Sequence, residues 1–158
     1  MLKITMITLG KLKEKYLREA AAEYIKRLSS LCALNIIEIE PVRLRDHPSQ
    51  REIDTALQTE GEKITAKIPG GAAIFPLCIE GKQCGSEELS GKLQNAAMNS
   101  GNAVFIIGSS YGLSNTIKSL GAPLSMSSMT FPHQLARIML LEQIYRAMKI
   151  SEGGIYHK

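Results

Sequence analysis

The sequence has no tryptophan, only 5% aromatic residues, and just two aspartates, Asp46 and Asp54, among its 158 residues. Metal-dependent phosphoryl transfer draws on carboxylates set beside a glycine-rich phosphate loop. Here both aspartates lie in the N-terminal half, no GxxxxGK[ST] motif occurs, and Gly81-Lys82 lacks the upstream glycine spacing, so that class is disfavoured. Histidine is equally scarce. His47, His133 and His157 are too scattered to suggest a zinc triad, and no metal is assigned. Cys32, Cys78 and Cys84 are odd in number and lack CxxC spacing, which argues against a disulfide framework and for buried, reduced thiols. Long apolar runs are missing too. No stretch approaches the roughly 18 apolar residues of a membrane span, and the opening MLKITMITLGKLKEKY is too short and too interrupted for a signal sequence. These absences lead us to expect a soluble, cytoplasmic protein without a membrane partner.

What is present suits one compact domain spanning residues 1–158, with 44% apolar and 22% charged residues and no repeat, low-complexity tract or linker. The formal charge of +4 is unevenly placed. Residues 1–88 are neutral, with thirteen basic and thirteen acidic side chains, whereas residues 89–158 carry six basic residues against Glu142 and Glu152. A basic face of this kind suits a polyanion such as RNA, although the same pI of 9.0 occurs in proteins that bind none.

Apolar patterning alternates between strand and helix periods. Strands are expected at Leu2–Leu9, Asn35–Glu40, Ala73–Ile79, Ala103–Ile107 and Leu124–Thr130. Between them, helices are expected at Leu12–Leu28, Arg51–Ile68, from an N-cap at Ser86 to about Met98, and briefly at Ser114–Leu120. A final helix runs from about Leu135, with Pro132 at its start. Such alternation specifies an α/β fold with a parallel sheet covered on both faces, its ligand loops at the carboxyl edge near Gly81 and Gly108. The last helix is apolar almost all round, which points to a second subunit against one side and hence a homodimer.

Within that helix, stepping roughly 100° per residue puts Arg137 between Ile144 and Met148, in an arc with Ala136, Leu140, Leu141 and Ala147. A permanent cation in an apolar arc requires either a functional opening or an ion pair, for instance with Glu142 of a partner subunit.

Three further stretches bear chemistry. Gly108-Ser109-Ser110-Tyr111-Gly112 matches the G-x-S-x-G nucleophile elbow of serine hydrolases in its strand-to-helix setting. A triad in chain order would have to use Glu142 or Glu152 and then His157, and Glu142 is mid-helix, so turn glycines lining a ligand loop are the better reading. Ser125, Ser127, Ser128 and Thr130 precede Pro132-His133; their small side chains leave backbone groups open to an adenine or amino-acid moiety, or simply form a polar loop with His133 as a helix cap. The tail Gly153-Gly154-Ile155-Tyr156-His157-Lys158 ends in an aromatic, an imidazole and a cation, although tails are usually disordered.

Taken together and in order, GKLKEKY, EYIKR, EGEKI, LCIEGK, FIIGSSYGL, SMTFPHQLARIMLLEQIYRA and the terminal YHK resemble the ribosomal RNA large subunit methyltransferase H family across essentially the whole chain. The resemblance implies a SPOUT-superfamily α/β fold with a C-terminal trefoil knot, which periodicity alone does not reveal. It also implies a homodimer that transfers a methyl group from S-adenosylmethionine to N3 of a pseudouridine in 23S rRNA of the assembled 70S ribosome. The family's cofactor positions fall on Leu77, Gly108, Ser127, Ser128, Met129, Thr130, Phe131 and Pro132. One position departs from the family pattern: Ser109 follows Gly108 where a second glycine is usual, adding a side chain that can donate a hydrogen bond or crowd the pocket.

The sulfonium methyl is electrophilic without a metal, so catalysis reduces to alignment and loss of the N3 proton. Arg137 is then expected to open onto the substrate pocket and stabilise the imide anion. His157 or His133 is expected to take the proton and Tyr156 to stack or hydrogen-bond with the base. The rival is a ribosome-binding protein without turnover, which would need no S-adenosylmethionine pocket.

Overall fold

A computed structural model describes residues 1–156 of the chain. Among these residues five parallel strands form one sheet in the order β2-β1-β4-β3-β5. The strands are β1 (Lys3–Leu9), β2 (Ala33–Ile39), β3 (Ala73–Gln83), β4 (Asn102–Ile107) and β5 (Leu124–Ser125). The helices are α1 (Lys15–Leu28), α2 (Gln50–Thr65), α3 (Ser86–Asn99), α4 (Asn115–Lys118) and α5 (His133–Ser151). No helix among the described residues is long and apolar enough to cross a membrane.

Side-chain alternation divides the core into two layers. Ile4 and Met6 of β1, with Ala103, Phe105 and Ile107 of β4, meet α1, α3 and α5 on one face. Ile7, Leu9, Val104 and Ile106 meet Ile64 of α2 and Leu113 and Ile117 beside α4 on the other. β4 is therefore buried on both faces, which is why Ala103–Ile107 reads as an unbroken apolar run. The same arrangement accounts for α5. It lies between α1 and α3 over the sheet, so most of its apolar surface is taken up within the chain, while Leu135 stays 42% exposed.

Several boundaries differ from expectation for local reasons. α1 starts at Lys15 rather than Leu12, because the Lys13 N–H donates to Gln134 Oε1 (2.9 Å) and the Leu12 and Lys13 carbonyls accept from Arg18. β5 has two residues instead of seven: Ser125 Oγ donates to the Ser127 carbonyl (2.9 Å) and Ser127 Oγ accepts from the Met129 N–H (3.0 Å), local bonds that replace a ladder. Gly85, not Ser86, caps α3, and Ser86 Oγ instead donates to Gln143 Oε1 of α5 (2.6 Å). α2 stops at Thr65, short of Ile68, and begins with a capping box in which Ser49 and Glu52 exchange side-chain and backbone hydrogen bonds.

β3 outruns the expected Ile79 to reach Gln83, curving alongside β5. Its Gly81 makes that possible, since a Cβ there would lie 2.8 Å from Leu124 N and 2.7 Å from Leu124 C. Placing β3 between β4 and β5 fits the threaded C-terminal arrangement implied by the resemblance. Of the three thiols, Cys32 alone is fully buried, its pKa pushed up to about 11 by desolvation; Cys78 and Cys84 are only partly covered.

Candidate active site

Where β3 and β4 end at the carboxyl edge, three distant segments enclose a cleft of about 730 Å³. Residues 77–80 come from β3, 107–113 from the turn after β4, and 126–136 from the loop and first turn of α5. Seven of the eight cofactor positions expected from the resemblance line it; exposed Ser128 does not. Lys118 of α4 also lines the cleft, paired with Glu80 Oε1 at 2.8 Å, and no spacing rule singled out either residue.

Gly108 is buried where the chain doubles back on itself. A Cβ there would overlap the Gly112 carbonyl oxygen and lie 2.6 Å from its carbon, while Gly112 itself holds a positive φ of 84°. The turn is closed by the Gly112 N–H donating to the Ser109 carbonyl (2.8 Å). The G-x-S-x-G match is thus a tight glycine turn on the cleft wall. Ser110 is exposed at its tip, and Glu142, which an elbow would need, is held by Arg146 (2.8 Å) and the Tyr156 hydroxyl (3.3 Å) and does not line the cleft. Cys78 on the cleft wall has its pKa raised by burial and then by Glu80, which keeps it a thiol rather than a nucleophilic thiolate.

Ser109 uses its hydroxyl constructively. It donates to Glu60 Oε1 (3.2 Å), while the other oxygen of the same carboxylate accepts the Val42 N–H (2.9 Å). Glu60 is 4% exposed, so one buried side chain of α2 pins both the turn after β4 and the loop after β2. That loop bounds a second cleft of about 470 Å³, which shares Ser109, Ser110, Tyr111 and His133 with the first.

Arg137 is 4% exposed and fully engaged within the chain. Its guanidinium donates to Glu38 Oε2, Thr8 Oγ1 and the Gly10 carbonyl, each at 2.8 Å. Register explains the convergence, because Thr8 of β1 and Glu38 of β2 are paired neighbours at the strand ends under α5. The cation in the apolar arc meets an interior polar cluster. It does not line either cleft, and its ion pair is with Glu38, not Glu142.

His133 stands on the wall common to both clefts, as the first residue of α5, and makes no capping bond. Desolvation first, then the charges of Arg137 and Lys13, lower its pKa below the ordinary 6.5. The imidazole is therefore neutral at physiological pH and able to accept a proton. Protonation costs more in the folded than in the unfolded chain, so stability falls as pH drops below 6.5. An NMR titration should place the His133 midpoint below 6.5, and Lys13→Gln should move it upward; a midpoint at or above 6.5 would contradict this arrangement.

Among the described residues, none of the tail lines the cleft of its own chain. Tyr156 packs edge-on against Tyr145 of α5 (4.9 Å between centroids), with the Arg146 guanidinium over its ring (4.7 Å). His157 lies outside the described residues.

A family model described as predicted SPOUT methyltransferase matches residues 2–157. A ribosomal RNA large subunit methyltransferase H from Bifidobacterium adolescentis is 47% identical over 159 aligned residues, covering 99% of this chain and 100% of that one. Its counterparts from Lactococcus lactis subsp. cremoris (43% identical, 99% and 100% covered) and Clostridium botulinum (47%, 98% and 99%) align from end to end as well. With these relatives matched along their whole length, the chain belongs to the SPOUT methyltransferases and, within them, to the ribosomal RNA large subunit methyltransferase H family.

Proposed function

We propose that this protein uses S-adenosylmethionine to methylate N3 of a pseudouridine in 23S rRNA, acting in the cytoplasm on the assembled 70S ribosome. The observation that carries the reading is the cleft at the ends of β3 and β4, where Leu77, Gly108 and the run after β5 converge although they are remote in sequence. Apolar walls from Leu77, Ile79, Met129 and Phe131 suit an adenine and a thioether-like chain, while the tight turn leaves backbone groups free for the polar edges of the cofactor.

The bound cofactor supplies an electrophilic methyl group. The chain's own task is to align the imide nitrogen and receive its proton, and neutral His133, at the junction of the two clefts, is the proton acceptor in this reading. Arg137 acts through others: it holds the Gly10 loop in place and its charge adds to burial in lowering the His133 pKa. The chain works as a homodimer in which the tail of one protomer, with Tyr156 and His157, closes over its partner's cleft. Exposed Tyr16 and Ile25 on α1 and Leu135 on α5 supply apolar surface for that association.

Isothermal titration with S-adenosylmethionine, with ATP as control, tests the reading first. Selective micromolar binding followed by methyl transfer to 70S ribosomes is the expected outcome. Binding without transfer would keep the cofactor assignment and reject the assembled ribosome as the substrate. Absence of binding in both the parent and Ser109→Gly, which removes the added hydroxyl, would defeat the cofactor assignment.

A further inference from the structure

The second cleft is built differently from the first. Its walls are Leu9, Gly10, Lys11 and Lys13 at the end of β1, the loop after β2 from Pro41 to His47 apart from Arg43, one side of α2, and the shared Ser109–Tyr111 turn with His133 and Gln134. Ionisable side chains along it are Lys11, Lys13, Arg45, His47 and His133 against Asp46 and Glu60. Glu60 is already consumed by Val42 and Ser109, and Arg45 by Glu52 at 2.6 Å. Lys11 and Lys13 have no acidic partner within salt-bridge distance among the described residues.

The loop bearing these two lysines is nevertheless rigidly held. Arg137 binds the Gly10 carbonyl (2.8 Å), Gln134 binds the Lys13 N–H (2.9 Å) and Arg18 binds the Lys13 carbonyl (2.6 Å). Pinning a backbone from two helices while leaving both ammonium groups exposed fixes where positive charge is presented. A folding requirement alone gives no reason for that combination, whereas binding a chain of anions does.

We propose that this second cleft is an RNA subsite, in which Lys11 and Lys13 hold backbone phosphates of the strand flanking the methylated nucleotide. Its shared rim then delivers the neighbouring base to His133 and the cofactor cleft, past half-exposed Tyr111, whose ring offers a stacking surface. The identity of the strand rests on the function proposed above; the presence of an anion site does not.

The test compares the full chain with Lys11→Gln/Lys13→Gln. Affinity for purified 70S ribosomes and for protein-free 23S rRNA is measured across a monovalent salt series, and S-adenosylmethionine affinity by titration. Expected are at least tenfold weaker RNA binding at low salt and a log-log salt slope reduced by about 1.4 to 1.8, the value for two phosphate contacts. S-adenosylmethionine affinity should stay within twofold, and Lys11→Arg/Lys13→Arg should restore binding. An unchanged slope would overturn the proposal, as would a matching loss of cofactor affinity, which assigns the cleft to the cofactor. A parent protein that binds RNA through these lysines yet transfers no methyl group would instead defeat the proposed reaction and leave the anion site standing.

Discussion

Gly108→Val should lower S-adenosylmethionine affinity by roughly a hundredfold or more, read by titration calorimetry on protein whose circular dichroism remains native. The added Cβ has no room, because Gly112 backbone atoms occupy its position and Leu113 Cγ lies 3.0 Å away. The turn must move outward, into the space where the cofactor is proposed to sit. Overpacking of this kind costs about 1–3 kcal/mol, and a turn displaced from its ligand loses the corresponding contacts as well, each 1.4 kcal/mol being about tenfold in affinity. Affinity within threefold of the parent would separate this turn from cofactor binding altogether.

Arg137→Met should produce the largest loss of stability among single changes at the site. The methionine fills much of the same volume but leaves Thr8, Gly10 and Glu38 without their shared donor. Breaking a buried ion pair costs about 3–5 kcal/mol, and the 36% exposure of the Glu38 side chain reduces this to roughly 2–3 kcal/mol. For a domain of this size that corresponds to a fall in Tm of about 5–10 °C in a thermal scan. Turnover measured well below that Tm separates the two roles. If kcat drops only in step with an upward shift of the His133 titration, Arg137 positions and tunes. If kcat collapses while the His133 midpoint stays put, the guanidinium contacts the reacting base directly, as the sequence had suggested.

Strand positions were legible because burial on both faces leaves a direct trace in composition, as in Ala103–Ile107. Where side chains compete with the backbone, that trace fails. The serines after Leu124 look extended but fold onto their own main chain, and Arg18 captures carbonyls that a longer α1 would have used. Arg137 was visible as an anomaly in an apolar arc, but its partners were not, since they exist only once β1 and β2 adopt the register that pairs Thr8 with Glu38. The residues proposed to hold the cofactor, seven of which line the cleft, came from the family resemblance and not from periodicity. The Glu60–Ser109 bridge, which joins residues 49 positions apart, left no local signal at all.

The cleft proposed to hold the cofactor draws its walls from residues 77–80, 107–113 and 126–136, so its third wall is missing until α5 has docked. The pairing of β1 with β4 and the packing of α1 on α5 likewise span most of the chain. Contacts this remote close slowly, because the loop entropy between them must be lost before any contact rewards it. In a chain growing from its N-terminus, Thr8 and Glu38 lack the arginine that joins them until α5 is made. The proposed pocket thus gains its last wall only at the end of synthesis, when the final helix is laid down.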